Sequence, residues 1–347
     1  MAYHAGIESC QDFTELKGHM AEKDRVFIKR SWSDAESYLT KKYGNEVLIS
    51  EDVDIKIPRV KTGLYHFDKS IGGGIPLGRI IELYGPEESG KTTLAAMIAQ
   101  RFQLKKNKSK VLYLDYENTL DLEYMKLLGL SLTKDKWLLS QPPTLEEGVD
   151  VLGVLAYTGD LGIAIVDSVA AMTPADELEN SMSNNSMGLQ ARGMGKTFRK
   201  LIGVLKKTDT PVIFINQIRE KIGVMFGSPE VTPGGKALKF YASIRMRISS
   251  KKSDWFPDDG KLTTINIVKN KTSLQQHQKS QYQIRPGLGF MSNFELFEML
   301  LEKKMLREQG RKYAMGKKVM SSDEWLQFLS DSNTREKLIE LYEKKNV

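Results

Sequence analysis

The sequence contains little cysteine and little histidine, and it has no long apolar run. Cys10 is its one cysteine, which excludes an intramolecular disulfide framework. Its four histidines are scattered along the chain and offer no spacing typical of a zinc site. No stretch of about 18 apolar residues predicts a membrane-spanning helix, and the first residues lack the apolar core of a signal peptide. These absences favour a cytoplasmic protein without a membrane partner.

The composition is otherwise ordinary for a globular protein. The chain has 347 residues, enough for one large α/β domain with small additions. Hydrophobic residues make up 40% and charged residues 27%, so nothing indicates a disordered or fibrous protein. The net charge of +7 favours a polyanionic partner without identifying one.

The most informative stretch begins at residue 80. An apolar strand pattern runs into Gly85-x-x-x-x-Gly90-Lys91-Thr92, and a helical pattern follows directly, the context expected of a P-loop. Glycines let the backbone N–H groups converge on phosphate oxygens, Lys91 can reach the terminal phosphates, and the Thr92 hydroxyl can hold Mg²⁺. The predicted nucleotide-binding residues are Gly85, Pro86, Glu87, Glu88, Ser89, Gly90, Lys91, Thr92 and Thr93.

The rest of the core alternates strand and helix patterns. Three continuous apolar runs are typical of strands buried on both faces of a parallel sheet, and they lie at 111–115, 162–167 and 211–216. An amphipathic helix is predicted at 189–207. Alternating patterns at 242–249, 262–269 and 281–285 predict antiparallel additions to that sheet. The predicted fold class is α/β with a mainly parallel central sheet.

Smaller segments flank this core. A helix is predicted at 32–43 and a short strand at 47–50. Together they must bury their apolar face, either in a core of their own or against a neighbouring subunit. After residue 290 the pattern changes to helices with a hairpin at 312–319. We therefore predict an N-terminal unit at 1–55, an ATPase core at 56–289 and a small α+β C-terminal domain at 290–347.

Polar residues at the ends of the predicted parallel strands mark the ligand-binding edge of the sheet. Asp167 can hold Mg²⁺ opposite Thr92. Asp115 and Glu117 both follow a strand, and either carboxylate can activate the attacking water, since spacing alone does not choose between them. Gln217 can bond the γ-phosphate and report its loss to the segment that follows.

Two loops have the composition of binding segments. Residues 218–235 are rich in glycine, carry the basic residues Arg219 and Lys221, and include several apolar side chains. A single-strand binder needs cations for phosphates and apolar side chains to wedge between bases. Residues 176–188 form a second loop of this character. An ordinary surface loop or a protein-binding lid is the alternative for both.

Taken together, these residues closely resemble the bacterial RecA recombinase family. The resemblance runs from about residue 38 to the end of the chain. It depends on five stretches, which are GRIIELYGPEESGKTT (78–93), DYENTLD (115–121), VDSVAAMTP (166–174), FINQIREKIGVMFG (214–227) and GGKALKFYAS (234–243). It implies a DNA-dependent ATPase that forms a filament on single-stranded DNA, pairs it with homologous duplex and exchanges strands in recombination, repair and the SOS response to DNA damage.

The resemblance also assigns roles to individual residues. It makes Glu117 the catalytic base, Thr92 and Asp167 the Mg²⁺ ligands, and Gln217 the γ-phosphate sensor. Lys269 and Lys271 resemble the pair that reaches the neighbouring subunit's phosphates. Interface residues are implied at Lys239 and Phe240, and adenine-side contacts at Asp121 and Tyr124. The implied DNA-binding residues are Met187, Gly188, Arg192, Arg199, Arg219, Lys221, Ile222, Gly223, Val224, Phe226, Gly234 and Gly235.

The sequence departs from the family pattern at several points. Pro286 stands where the family has an aromatic residue near the adenine, so we expect a different nucleotide affinity. Gly195, Asn118 and Thr119 also differ. The sequence ends in EKKNV rather than a strongly acidic tail, which predicts weaker autoinhibition of DNA binding. With the divergent N-terminal extension, this suggests a phage- or plasmid-encoded member.

Two other functions are compatible with the motifs. One is an ATP-dependent DNA-binding scaffold that does not exchange strands, because binding and hydrolysis motifs do not demonstrate homologous pairing. The other is a ring helicase, which would need a larger N-terminal domain than the sequence provides.

Overall fold

A computed structural model of the chain describes residues 32–44, 57–179, 187–220, 230–274 and 278–344. The chain divides into two compact units, Met1–Lys56 and Ile57–Val347. In the first unit the described element is helix α1 (Trp32–Tyr43), which confirms the predicted helix. The strand predicted at 47–50 lies outside the described residues, and the three domain limits drawn from the sequence stay predictions.

The second unit contains sixteen strands among its described residues. They are β1 (Arg59–Val60), β2 (Ile75–Pro76), β3 (Ile80–Gly85), β4 (Lys110–Asp115), β5 (Trp137–Ser140), β6 (Leu161–Asp167), β7 (Val212–Gln217), β8 (Arg219–Glu220), β9 (Glu230–Val231), β10 (Ile244–Lys252), β11 (Lys261–Asn270), β12 (Lys279–Arg285), β13 (Gly289–Phe290), β14 (Arg307–Gln309), β15 (Lys312–Met315) and β16 (Lys318–Met320).

Ten α-helices of this unit are described. They are α2 (Tyr65–Ser70), α3 (Lys91–Gln103), α4 (Leu122–Leu127), α5 (Leu145–Tyr157), α6 (Ala175–Glu179), α7 (Met187–Thr208), α8 (Gly235–Tyr241), α9 (Ser292–Glu302), α10 (Ser322–Phe328) and α11 (Ser332–Lys344).

A nine-stranded sheet forms the centre of the unit, in the order β13-β12-β11-β10-β3-β7-β6-β4-β5. The strands from β10 to β5 are parallel to one another. Every residue of β3 is buried, as expected for a strand covered on both faces. The α/β class and the three apolar strands are therefore confirmed, whereas β5 at the edge was not predicted because its short pattern is only partly buried.

The prediction for 242–249 is wrong on one side of the strand. β10 pairs antiparallel with β11 as expected, but it pairs in parallel with β3, with Ile244 opposite Ile81. Its alternating pattern reports that one face is buried, and such a pattern carries no information about the direction of a neighbouring strand. The antiparallel prediction is confirmed for β11 and β12.

Helices cover both faces of the sheet. α3 packs with a cluster of buried apolar residues on one face, and α5, α7 and α8 pack with a second cluster on the other. The predicted helix at 189–207 is confirmed as α7, whose Phe198 ring meets Phe214 of β7 edge-on at 5.2 Å. This second face carries the side chains of Glu82 and Asn216, two buried polar residues.

The end of the chain builds a smaller layer around the buried Trp325. Helices α9, α10 and α11 surround a three-stranded antiparallel sheet, β14-β15-β16. The hairpin predicted at 312–319 corresponds to β15 and β16. Glu295 of α9 accepts hydrogen bonds of 2.8 Å from the backbone N–H groups of Tyr65 and His66, so α9 is fastened to the first turn of α2.

Candidate nucleotide site

The predicted strand, loop and helix are present as β3, the P-loop and α3. Two positions in the turn between them require glycine. A Cβ atom at Gly85 would lie 2.0 Å from the Ile248 carbonyl oxygen, so β10 leaves no room for a side chain there. Gly90 caps α3 with a φ of 95°, a left-handed conformation that glycine adopts without strain. The turn from β3 into α3 therefore requires glycine at both positions.

The loop between these glycines has the properties of a phosphate cradle. Ser89 is buried, and its Oγ has no hydrogen-bond partner among the described residues. Lys91 Nζ donates to the carbonyl oxygens of Gly85 at 3.1 Å and Pro86 at 2.5 Å. Burial lowers the pKa of Lys91, and the nearby Asp167 and Glu117 carboxylates oppose that shift. A buried cation and a free hydroxyl beside a helix N-terminus fit the phosphates of a nucleotide.

Asp167 lies at the end of β6, directly beside the start of α3. Its Oδ2 accepts hydrogen bonds from Thr92 Oγ1 at 3.1 Å and from the Tyr113 hydroxyl at 2.6 Å. Burial raises the pKa of Asp167, and the carboxylates of Glu117 and Asp115 add to the rise, while the two hydrogen bonds oppose it. A divalent cation would remove this repulsion, so the Thr92–Asp167 oxygens fit Mg²⁺. The described residues contain no cluster of three or more His, Cys, Asp or Glu side chains placed to bind a metal.

The two carboxylates that follow β4 have different surroundings. Glu117 Oε1 accepts hydrogen bonds from Ser168 Oγ and, at 3.2 Å, from Gln217 Nε2. Asp115 instead accepts from the Leu120 backbone N–H and from Gln141 Nε2, each at 3.3 Å, and thereby holds the turn after β4. This geometry favours Glu117 as the group that faces the reacting phosphate.

Two adjoining cavities extend from the P-loop. One has a volume of about 300 Å³ and is lined by Lys91, Glu117, Asp167 and Gln217, among others. The second, of about 350 Å³, is lined by residues that include Ser89, Thr93, Tyr124, Thr263 and Pro286. The first holds the side chains expected to face the phosphates, and the two cavities share Lys91, Thr92 and Tyr124.

The predicted adenine-side residues lie at these cavities. The Tyr124 hydroxyl, which lines both cavities, is 2.9 Å from Thr93 Oγ1. Asp121 lines the phosphate-side cavity, and its carboxylate caps α4 by accepting from the Tyr124 backbone N–H at 3.0 Å. The structure therefore gives Asp121 a capping role whether or not it also contacts a base.

Lys269 and Lys271 are not brought to this site within one chain. Lys269 pairs with Arg245, which pairs with Glu82 near the start of β3, whereas the P-loop follows the end of that strand. Lys269 Nζ donates to the carbonyl oxygens of Lys239 and, at 3.1 Å, Phe240 in the last turn of α8.

These residues are accessible to another molecule. Phe240 is 68% exposed, and Lys271 is exposed as well. Burial, followed by the charges of Lys271 and Arg245, lowers the pKa of Lys269 to about 8.

The predicted DNA-binding residues are described only in part. Lys221, Ile222, Gly223, Val224 and Phe226 lie outside the described residues, as do the side chains of Met187 and Arg192. The backbone of Met187, Gly188 and Arg192 lies in the first turns of α7, and Arg199 is exposed further along that helix.

The ends of the predicted DNA-binding loop at 218–235 are held in place. Arg219 is exposed on β8, which pairs antiparallel with β9 and so joins the two ends of the loop. Gly234 and Gly235 begin α8 with φ values of 83° and 65°. A Cβ at Gly234 would lie 2.8 Å from Met194 Sδ, so α7 restricts this position to glycine.

Sequence reasoning missed several residues that organise the site. Ser168 follows Asp167 at a strand end, so the rule that selected Asp167 also applies to Ser168. Tyr113 gives a weaker signal, because a buried tyrosine hydroxyl needs a partner but the sequence does not say which. The sequence marked Asn118 only as a departure from the family pattern, and its φ of 55° directly after Glu117 is a conformation that asparagine tolerates.

The chain is similar to known proteins over most of its length. The family model of the RecA N-terminal domain matches residues 30–290. The chain is 42% identical over 274 residues to Protein RecA of Enterococcus faecium, covering 78% of this chain and 77% of the relative. It is 40% identical over 312 residues to Protein RecA of Lactococcus lactis subsp. cremoris (strain MG1363), covering 87% and 78%. The crystal structure of the RadB recombinase aligns with a TM-score of 0.49 and 22% identity, covering 67% of this chain and 98% of that one.

Proposed function

Because the chain belongs to the bacterial RecA recombinase family, we propose that it assembles on single-stranded DNA as a helical filament with ATP between neighbouring subunits. It is a DNA-dependent ATP hydrolase that acts in recombination and repair by strand exchange. No helix among the described residues is both long and apolar enough to cross a membrane. We propose that it acts on DNA in the cytoplasm.

Hydrolysis is assigned to side chains at the ends of β3, β4, β6 and β7. The P-loop N–H groups and Lys91 hold the phosphates, and Tyr124 lies beside the base. Glu117 takes a proton from the attacking water as the water oxygen bonds to the γ-phosphorus and the bond to the ADP oxygen breaks. Thr92 and Asp167 would hold Mg²⁺, which when bound would supply positive charge to the phosphates.

The observation that carries this proposal is the hydrogen bond from Gln217 to Glu117. Gln217 ends β7, and the segment that follows leads directly to the loop expected to bind DNA. A γ-phosphate would compete for the Gln217 amide and thereby change the start of that loop. The same side chain can therefore respond to nucleotide and influence DNA binding.

The neighbouring subunit is proposed to complete the site. Lys269 and Lys271 lie at the end of the sheet opposite the P-loop, beside the exposed Phe240. Head-to-tail contact between copies brings such an end against the P-loop of the next copy, which is the heterologous geometry that generates a helical filament.

Strand exchange tests this proposal directly. The protein is incubated with ATP, Mg²⁺, a circular single strand and a linear duplex, either homologous or unrelated in sequence. We expect joint molecules only with the homologous duplex and only with ATP. ATP-dependent binding without joint molecules would instead support the scaffold, and unwinding without homology would support a helicase.

A further inference from the structure

A buried polar network lies under α8, on the sheet face opposite α3. Its centre is Glu82 of β3, whose exposed fraction is 0%. Glu82 Oε1 accepts a hydrogen bond of 3.0 Å from Asn216 Nδ2, and Glu82 Oε2 accepts one from Arg245 Nε. One carboxylate therefore joins the three neighbouring strands β7, β3 and β10.

Asn216 extends the network in two directions. Its Nδ2 also donates to the Pro233 carbonyl oxygen at 3.1 Å, and its Oδ1 accepts from the Gln217 backbone N–H at 3.0 Å. Asn216 is fully buried, and both ends of its amide are engaged. The amide thus contacts the residue that bonds Glu117 and the residue that precedes the Gly234 cap of α8.

Stability alone is a weak explanation for such a network. An ion pair withdrawn from water loses much of its hydration energy, and apolar residues of similar volume often serve stability equally well. Arg245 is also largely buried, with 14% of its side chain exposed, and its guanidinium lies 4.8 Å from the centre of the Tyr84 ring. This ion pair lies between the strand that carries the P-loop and the end of the DNA-binding loop. Its position there indicates a role other than stability.

We propose that Glu82 is a positioning residue that couples the Gln217 sensor to the DNA-binding loop. A shift of the Gln217 backbone moves the Asn216 amide, which cannot turn without losing its bond to Glu82 or to Pro233. Glu82 belongs to the strand that carries the P-loop, so its carboxylate stays in place when the end of the DNA-binding loop moves. This inference rests on the proposed function.

A second ion pair also holds the DNA-binding loop, but its contacts differ from those of the Glu82 network. Arg247 binds Glu230 of β9 through two hydrogen bonds, of 2.8 and 2.5 Å, and both side chains are about one-third exposed. These two bonds join β10 to β9 and so hold the returning end of the loop to β10. The Glu82 network, by contrast, contacts both Gln217 and Pro233 through Asn216.

Two variants test the role of Glu82. Glu82→Gln keeps the shape of the side chain but leaves one of its two donors without a suitable acceptor. The double variant Glu82→Met/Arg245→Met replaces the ion pair with apolar side chains, a change that need not lower stability. Glu295→Gln is the matched control, because it neutralises another buried carboxylate with two N–H partners, outside this network.

The measurement is the affinity for single-stranded DNA with and without a slowly hydrolysed ATP analogue, alongside analogue affinity and thermal unfolding. We expect both Glu82 variants to bind the analogue like the parent chain, while its enhancement of DNA affinity falls by about tenfold or more. The control should keep the full enhancement.

Full enhancement in folded Glu82 variants would overturn the inference. So would unfolding of both variants while Glu295→Gln stays folded, because the network would then serve structure alone. If the parent chain itself shows no enhancement, the proposed function fails rather than the role of Glu82.

Discussion

The two ends of the central sheet present functional side chains in different states. At the P-loop end, Glu117 is held by Ser168 and Gln217, and Asp167 is held by Thr92 and Tyr113. At the other end, Lys269 is bonded to helix carbonyls, while Lys271 and Phe240 are exposed.

This difference indicates what each end needs before it can act. Side chains that are hydrogen-bonded to other side chains of the same chain are already oriented for the reaction. This orientation lowers the activation free energy. The lysine end has a positive charge and an exposed aromatic ring, and Lys269 Nζ is bonded to carbonyl oxygens of its own chain. We infer that one end is prepared by folding and the other is completed by assembly.

Lys91→Ala should have the largest effect at the P-loop end of the sheet. The variant loses the buried cation at the phosphate cradle, so we expect ATP hydrolysis to fall by about a thousandfold or more. Hydrolysis is measured with saturating single-stranded DNA. Lys126→Ala removes a surface lysine paired with Glu123 and serves as the control, which should retain its activity.

Glu117→Gln should have the next largest effect. Removal of the base should lower hydrolysis by about 10²- to 10⁴-fold, while ATP and DNA binding persist. The comparison variant is Asp115→Asn, in which we expect lower thermal stability and a smaller loss of hydrolysis, since Asp115 holds a turn. Normal turnover in Glu117→Gln would refute the base assignment.

Mixing two inactive variants tests whether Lys269 and Lys271 complete the site of a neighbouring subunit. Lys91→Ala chains lack the cradle cation, and Lys269→Ala/Lys271→Ala chains lack the reaching lysines, so neither should hydrolyse ATP alone. In an equal mixture, about a quarter of head-to-tail interfaces combine an intact cradle with intact lysines. Recovered hydrolysis in the mixture supports a shared site, whereas no recovery would place the two lysines outside the neighbour's site.

The smallest expected effect concerns protonation of Lys269. Burial lowers its pKa to about 8, so in the free chain the neutral amine dominates above that pH. Its labelling by an amine-acylating reagent, followed by mass spectrometry, should rise with a midpoint near pH 8. ATP with single-stranded DNA should move that midpoint upward, because a neighbouring phosphate favours the charged amine. An unchanged midpoint would argue against phosphate contact.

The sequence predicted those parts of the fold that depend on local pattern. The P-loop turn, α1, α7 and the apolar strands all follow from spacing within a few residues. The direction of β10 relative to β3 was predicted wrongly, since it depends on a pairing between segments far apart in the chain.

The candidate site divides in the same way. Glu117, Asp167 and Gln217 stand at strand ends and could be selected from sequence, although the choice between Asp115 and Glu117 needed a resemblance. Tyr113 and Glu82 could not be selected, because their partners Asp167 and Arg245 lie 54 and 163 residues away. Such contacts are visible only once the sheet order is known.

The position of β10 also bears on how the chain folds. The P-loop strand lies between β7 and β10, and Gly85 packs against the Ile248 carbonyl, so a segment some 160 residues downstream forms one side of the cradle. Pairings of such long sequence separation form slowly, because the entropy of a large loop is lost before its contacts are gained. During synthesis, nucleotide binding should therefore appear only after β10 has left the ribosome, which makes ATP a ligand of the finished core.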